Sequence, residues 1–276
     1  MLSVVIPAHN EAGVIGRLLT GLLREAEPGE FDVVVVANGC TDGTAEAAGA
    51  YDVRVLTTPV PSKREALRLG DAAARGYPRL YVDADIELGT ADARALAAVL
   101  AAQDGPLAAA PERELALADR PWAVRAYYAI WTRLPHVRAG LFGRGVIAVS
   151  GAGNERIRAL PPVMADDLAA SLAFAPDERV IVPSARSVIR PPRTLADLLR
   201  RRVRAMTSVS ELESAAATAG ERTGLRDLAA IVAREPRLLA AAAVFVLVAV
   251  LARRRAARAI RAGDFTTWLR DDSSRA

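Results

Sequence analysis

The sequence predicts an α/β fold, a doubly wound and mostly parallel sheet with a helical C-terminal extension. Three observations carry that expectation. Short apolar runs bounded by turn signals read as buried strands: Val4-Val5-Ile6, Phe31 to Val36, Val53 to Leu56 and Leu80-Tyr81-Val82. Segments with helical spacing separate them, as in Val14, Ile15, Leu18, Leu19, Leu22 and Leu23. Strands alternating with helices mean a mainly parallel sheet.

Taken in order, a helix is expected over Glu11 to Arg24 after the first strand. The second strand closes at Asn38-Gly39, and a helix over Thr41 to Gly49 follows with Thr41 or Asp42 as its cap. Lys63 to Arg75 and Thr90 to Ala102 read as the next two helices. Further on, Trp122 to Leu134, Met164 to Phe174 and Leu195 to Leu212 read as helices, while strands are expected within the glycine-rich 141–153 stretch and at Val180 to Val182. The predicted organisation is a sheet domain over 1–190, a basic helical extension over 191–230, and an apolar helix with a basic tail over 231–276.

The 276 residues, 52% of them hydrophobic, suffice for a sizeable core and exclude global disorder. One cysteine, Cys40, rules out an intrachain disulfide and suits a reducing cytoplasm. No secretory signal is expected, since Met1-Leu2-Ser3 runs straight into a strand. From Arg190 onward 17 arginines face 9 acidic residues, whereas the first 189 residues carry 19 basic and 23 acidic ones. A basic tail behind an acidic front points to an anionic surface or substrate. Few aromatics accompany the arginines and no nucleic-acid motif is present, so nucleic acid is not the expected partner.

Three polar clusters fall at predicted strand ends: His9-Asn10-Glu11, Asn38-Gly39-Cys40-Thr41-Asp42 and Asp83-Ala84-Asp85. In doubly wound sheets ligands bind beyond the carboxyl ends of the strands. Two carboxylates one residue apart suit a divalent metal that binds a diphosphate and stabilises it as a leaving group. Read alone, the same pair is more often a helix cap with a solvated acid.

The context decides more than the pair. VVIPAHNEAGVIGRLL, VVVVANGCTDGTAEAA, SKREALRLGDAAARG, LYVDADIEL and ADDL follow one another, with RRRVRA later. Their order and spacing over roughly residues 2 to 210 resemble the family-2 glycosyltransferases, inverting enzymes of the GT-A fold. The resemblance implies a nucleotide-sugar donor, a divalent metal (Mn²⁺ or Mg²⁺), and a glycan or lipid-linked acceptor. It places Pro7, His9 and Glu11 beside the base and ribose. Asn38 stands where many relatives have an aspartate that accepts from the nucleobase; its oxygen also accepts, without charge. Asp42 matches an acidic position of that loop, with helix capping as its other role. Lys63, more than Arg68, supplies a cation near the diphosphate. Asp83 falls near the ribose and Asp85 on the metal.

By the same resemblance Asp166-Asp167 carries the general base, Asp167 rather than Asp166, taking the acceptor's proton as the hydroxyl attacks opposite the diphosphate. Both also suit a helix N-terminus. Arg201, Arg202 and Arg204 resemble a basic element near the diphosphate, with Arg204 as the phosphate contact. The tryptophan that follows it in many relatives is Ala205 here, which argues against a processive polysaccharide synthase. Trp122, Trp131, Tyr127 and Tyr128 suit either an acceptor pocket, where aromatic faces stack on sugars, or the core, and core packing is the expectation for most of them. Cys40 reads as a packing residue, and His136 as a residue that caps or packs in a loop.

Leu238 to Ala252 holds 15 uncharged residues. At about 1.5 Å per residue it is shorter than the roughly 30 Å hydrocarbon core. It reads as a short span, an in-plane or re-entrant anchor, or a helix packed on a neighbour. Being apolar all round, it does not look like a surface amphipathic helix. Membrane contact through 238–258, at the cytoplasmic face, is the expectation, with Arg253, Arg254, Arg255 and Arg258 facing lipid head groups. Cell-envelope or lipid-linked glycan synthesis is the expected setting. Two rivals remain. Nucleotidyl transfer calls for a glycine-rich phosphate loop, and the loop here is PAHNEAG. A degenerate relative that only binds nucleotide or scaffolds a membrane complex draws support from Asn38 and Ala205.

Overall fold

Burial on both faces explains why the first strands read as unbroken apolar runs. In the computed structural model β1 (Leu2–Ala8) and β2 (Phe31–Asn38) are buried along almost their whole length. Val4 and Ile6 face the cluster that holds Leu18, Leu19 and Leu22 of α1 (Ile15–Leu23) and Leu96 of α4 (Thr90–Ala101). Val34 and Val36 face Ala66 of α3 (Lys63–Ala73) on the other side. Gly70 of α3 lies so close to β1 that a Cβ there would stand 2.4 Å from Val5 Cγ1. The description covers residues 1–160, 166–216 and 224–261, with the side chains of 166–167 and 208–216 outside it.

β1 pairs in parallel with β2 from Leu2 against Phe31 to Ala8 against Ala37, and with β4 (Arg79–Val82) on its other edge. β3 (Arg54–Thr58) continues the parallel block beyond β2, after the short α2 (Thr44–Gly49). The full order is β3-β2-β1-β4-β7-β6-β8-β5. β7 (Val146–Val149) runs antiparallel to β4 and to β6 (Ala108–Leu115). β6 pairs in parallel with β8 (Arg179–Ile189), and β5 (Glu87–Leu88) closes the edge antiparallel to β8.

Three strands escape the sequence reading wholly or in part, and β5, only two residues long, is too short to leave a pattern. β6 begins Ala-Ala-Ala-Pro, which carries neither β-branched residues nor alternation, and a register irregularity follows Pro111. β8 spans eleven residues where only Val180 to Val182 show an apolar run, because its second half alternates buried and exposed positions. The expected helix over Thr41 to Gly49 starts later, at Thr44. Asp42 sits ahead of it, its carboxylate accepting from Thr44 N at 3.1 Å.

A second core forms around α5 (Trp122–Trp131). After α6 (Pro135–Ala139), α7 (Gly151–Arg158) and α8 (Asp166–Leu172), the chain runs through α9 (Leu195–Ala216), α10 (Leu225–Arg234), a 3₁₀ turn (Pro236–Leu238) and α11 (Leu239–Arg261). Val124, Tyr127 and Ile130 of α5 pack with Leu198, Leu199 and Val203 of α9 and with Ala242, Phe245 and Val248 of α11. The Tyr127 and Phe245 rings stack at 5.1 Å. Arg133 fixes the turn before α11 through two bonds to Glu235, at 2.6 and 3.0 Å. Tyr127 and Tyr128 are therefore core residues, and Trp131 lies under the Arg113 guanidinium at 4.8 Å. α11 packs one side on its neighbours. A face-independent apolar sequence becomes a two-faced helix once Ala241, Ala242, Phe245, Val248, Ala252 and Ala256 are covered.

At the other end of the sheet a buried polar network ties α3 to β4 and α7. Asp71 pairs with Arg79 and accepts from the Tyr81 hydroxyl at 2.7 Å and from Asn154 Nδ2 at 3.0 Å. Burial pushes the Asp71 carboxyl up, but the bonds from Tyr81, Arg79 and Asn154 outweigh it and hold the pKa below the ordinary value. The charge thus contributes stability above about pH 4, and that contribution is lost as the pH falls through the lowered folded value. Removing it strands a buried guanidinium. Asp71→Ala is expected to lower the unfolding free energy by roughly 3–5 kcal/mol in urea titrations. A loss near zero would show that Arg79 finds water instead.

Candidate donor-binding site

The parallel block brings three loops to one edge of the sheet. Ala8 and Ala37 are level in the register, so His9 and Asn38 leave their strands side by side. His9 Nδ1 lies 2.6 Å from the Asn38 carbonyl. Asn10 has φ 52°, a left-handed conformation that asparagine tolerates, and its Oδ1 accepts from Thr41 N at 2.8 Å. Glu11 N donates to Thr44 Oγ1 at 2.8 Å and Ala12 N to Asp42 Oδ2 at 3.1 Å. Burial raises the Asp42 carboxyl, but the bonds from Thr44 and Ala12 prevail and keep it below its ordinary value. Asp42 is thus a fastener between the first two loops. Pro7 and Glu11 are buried beside them, and half-buried Cys40 receives the Asn10 amide at 3.4 Å.

Asn38 holds the informative atom. Its side chain is buried, and Nδ2 donates to the Ala8 carbonyl at 2.8 Å. A carbonyl takes only the NH₂ end, so the orientation of the amide follows from this bond. Oδ1 is then left buried without a hydrogen-bond partner among the described residues. An unmet buried acceptor costs about 1–3 kcal/mol unless something outside the protein fills it.

From Asn38 the site continues without a break. Gly39 N donates to Thr58 O at 2.8 Å, and with φ 56° it lies so close to Pro61 that a Cβ would meet the ring at 2.5 Å. Ser62 then caps α3 by accepting from Glu65 N at 3.2 Å. Lys63 opens the helix, where the dipole disfavours a cation. Its ammonium reaches Asp83 instead, at 2.9 Å, in a pair with both side chains about two-fifths exposed. Such a pair is worth at most about 1 kcal/mol, so a ligand can reorganise it.

Asp83 and Asp85 follow β4 in a loop held from three sides. Asp83 N donates to the Gly145 carbonyl at 2.8 Å. Arg17 donates to the Asp85 carbonyl at 3.4 Å and pairs with Glu87 at 3.3 Å. Arg190 joins the same Glu87 oxygen at 2.6 Å. Burial and then the Arg190 charge lower the Arg17 pKa, opposed by Glu87 and Asp85. Behind Gly145 sits Arg144, fully buried, donating to the carbonyls of Gly140 (3.0 Å), Pro111 (2.9 Å) and Arg138 (2.8 Å).

None of Arg17, Glu87, Arg144 and Arg190 stood out in the sequence. Arg144 left a trace, since it lies between Gly143 and Gly145, with φ 63° and 69°.

Arg204 is half-buried on α9 and Arg68 pairs with Glu65 on the exposed side of α3. Asp166 and Asp167 open α8, and their side chains lie outside the described residues. His136 stacks with Phe142 at 6.3 Å. Among the described residues no three His, Cys, Asp or Glu side chains form a metal-binding group. The carboxylate oxygens of the Asp83–Asp85 loop are hard donors, of the kind Mg²⁺ and Mn²⁺ take.

The family model for glycosyl transferase family 2 matches residues 3–148, more than half of the chain. The chain belongs to that family. The 4,4'-diaponeurosporenoate glycosyltransferase of Staphylococcus aureus is 40% identical over 55 residues, a match spanning 20% of this chain and 14% of that protein. The match thus spans about a seventh of the curated relative's length. Among solved structures, the mannosyltransferase PcManGT from Pyrobaculum calidifontis, in complex with GDP-Man and Mn²⁺, superposes with a TM-score of 0.61 at 21% identity. That likeness covers 95% of this chain and 75% of that one. Glucosyl-3-phosphoglycerate synthase from Mycobacterium tuberculosis, in complex with Mn²⁺, UDP and phosphoglyceric acid, gives 0.59 at 21% identity, covering 82% and 81%. At these identities the likeness is one of fold, that of the GT-A glycosyltransferases, as the sequence predicted.

The Gly145 carbonyl depends on its left-handed backbone, and a Cβ there would stand 2.5 Å from Ile86 Cγ2. Gly145→Ala is expected to cost roughly 1–3 kcal/mol in stability and to speed hydrogen exchange at the Asp83 amide. An unchanged Asp83 amide would show that the loop is held by other means.

Proposed function

We propose that the protein transfers a sugar, with inversion, from a nucleotide-diphosphate donor to a lipid-linked or glycan acceptor. The observation that carries the donor half is the buried, unpartnered Asn38 Oδ1 beside His9. That oxygen suits a base presenting an imino N–H, as uracil and guanine do. The ribose would lie over Pro7, Glu11 and Asp83, and Lys63, already beside Asp83, would turn one of its three N–H groups toward the diphosphate. Arg204 is a further proposed phosphate contact.

Asp85 would hold a divalent metal, which supplies Lewis-acid stabilisation of the departing diphosphate when bound. Mn²⁺ accompanies the nucleotide or nucleotide sugar in the two solved structures named above. The chain's own part is positional. Arg17, Glu87 and Arg190 fix the loop that carries Asp85, and Lys63 adds positive charge where negative charge develops.

The proposed base is Asp167, ahead of Asp166. Its carboxylate would take the acceptor hydroxyl proton as the oxygen attacks the anomeric carbon opposite the leaving group. We assign donor chemistry to residues 1–190 and acceptor and membrane contacts to 191–230 and 231–276. The setting we propose is cell-envelope or lipid-linked glycan synthesis at the cytoplasmic face of a membrane.

Transfer assays with UDP- and GDP-sugars, Mn²⁺ and polyprenyl phosphate test this directly. Asp85→Ala and Asp167→Asn are each expected to reduce transfer at least about a hundredfold. Asp167→Asn should leave nucleotide binding intact. Full turnover by Asp167→Asn would refute the assignment of the base.

A further inference from the structure

α11 has a second side that no described residue covers. Leu239, Val246, Leu247, Val250 and Leu251 are exposed, Leu239 by 66% and Leu247 by 56%. At 100° per residue these positions, with Ala243, fall on one face of the helix, opposite the packed residues. Continuing along the same face come Arg254, Arg258 and Arg261, all exposed, with Arg253 and Arg255 at its flanks. Arg237 stands exposed before the other end. Between residues 236 and 261 there is no aspartate or glutamate.

We propose that this face docks on an anionic lipid surface, with α11 lying along the bilayer plane and not across it. The proposal deepens the membrane contact suggested above and rests on that reading. Three observations select this occupant. The apolar stretch is bounded by arginines at both ends, which suits side chains dipping into the acyl boundary while guanidiniums reach phosphate. A nucleic acid would match the arginines but leave the leucines and valines without a partner. A second copy would bring together two α11 helices that each carry arginine and, between residues 236 and 261, no acid.

The orientation follows from the covered side. Phe245 stacks on Tyr127, and Ala241, Ala242, Val248, Ala252 and Ala256 pack in the same core as α5 and α9. A membrane-crossing α11 would have to leave that core or draw its neighbours into the hydrocarbon. The helix is long and apolar enough by composition to cross, from Pro236 to Arg261. Its packing, however, leaves one face for lipid, and one face is what an interfacial helix uses.

The test uses the full chain in flotation assays with phosphatidylcholine vesicles and with vesicles containing phosphatidylglycerol. Binding is expected to be at least about tenfold stronger to the anionic vesicles and to weaken as salt rises. Leu247→Glu with Val250→Glu, and separately Arg254→Glu with Arg258→Glu, should each lower binding at least about tenfold. An unchanged melting temperature of the variants shows that the fold persists. If a variant unfolds, Val246→Trp replaces it: its emission should shift to the blue on anionic vesicles and be quenched most by shallow lipid-borne quenchers. Equal binding to neutral vesicles, variants that bind like the parent, strongest quenching from the bilayer centre, or a stable dimer abolished by Leu247→Glu would each overturn the proposal. Vesicle binding without any nucleotide-sugar binding would leave this surface standing and remove the donor reading instead.

Discussion

In a parallel block every carboxyl end points the same way, and here β3, β2, β1 and β4 form such a block. The pairing of Ala8 with Ala37 sets His9 beside Asn38, and the pairing of β1 with β4 sets the Asp83–Asp85 loop on the same edge. All other features of the site depend on that alignment. A slip of one residue between β1 and β2 would turn every side chain to the opposite layer and take Asn38 away from the Ala8 carbonyl. Burial on both faces guards against such a slip, because Val4 and Ile6 serve one layer and Val34 and Val36 the other.

On this edge the protein combines a fixed part with a yielding part. The fixed part is the backbone fastening by Asp42, Thr44, Gly39 and Gly145, with Arg144 buried behind it. The yielding part is the Lys63–Asp83 pair, exposed enough to be reorganised by a ligand. Asn38 belongs to the fixed part, and its buried side-chain oxygen has no hydrogen-bond partner among the described residues. That division suits a donor whose base is read by shape and hydrogen bonding and whose diphosphate is met by mobile charge.

Much of this was legible in the sequence. Apolar runs ending in polar clusters located β1, β2 and β4 and their loops, because buried parallel strands and exposed strand ends leave strong local contrasts. The later strands were less legible, since the Ala-Ala-Ala-Pro start of β6 and the half-exposed β8 obey pairing across the sheet and not local pattern. Arg17, Glu87 and Arg190 were illegible for a similar reason. They come from α1, β5 and the residue after β8, and only the fold makes them neighbours. α11 shows the converse. Its sequence looked uniformly apolar, and its two faces appear only when Tyr127 and its neighbours cover one of them.

The central claim is that Asn38 presents an acceptor to the donor's base at a fixed strand edge. Calorimetric titration with UDP, GDP and CDP in the presence of Mn²⁺ addresses it most directly. Cytosine carries an acceptor where uracil carries its imino N–H. UDP or GDP is expected to bind at least about tenfold more tightly than CDP, and Asn38→Ala is expected to narrow the gap. Equal affinity for all three nucleotides in the parent protein would contradict it.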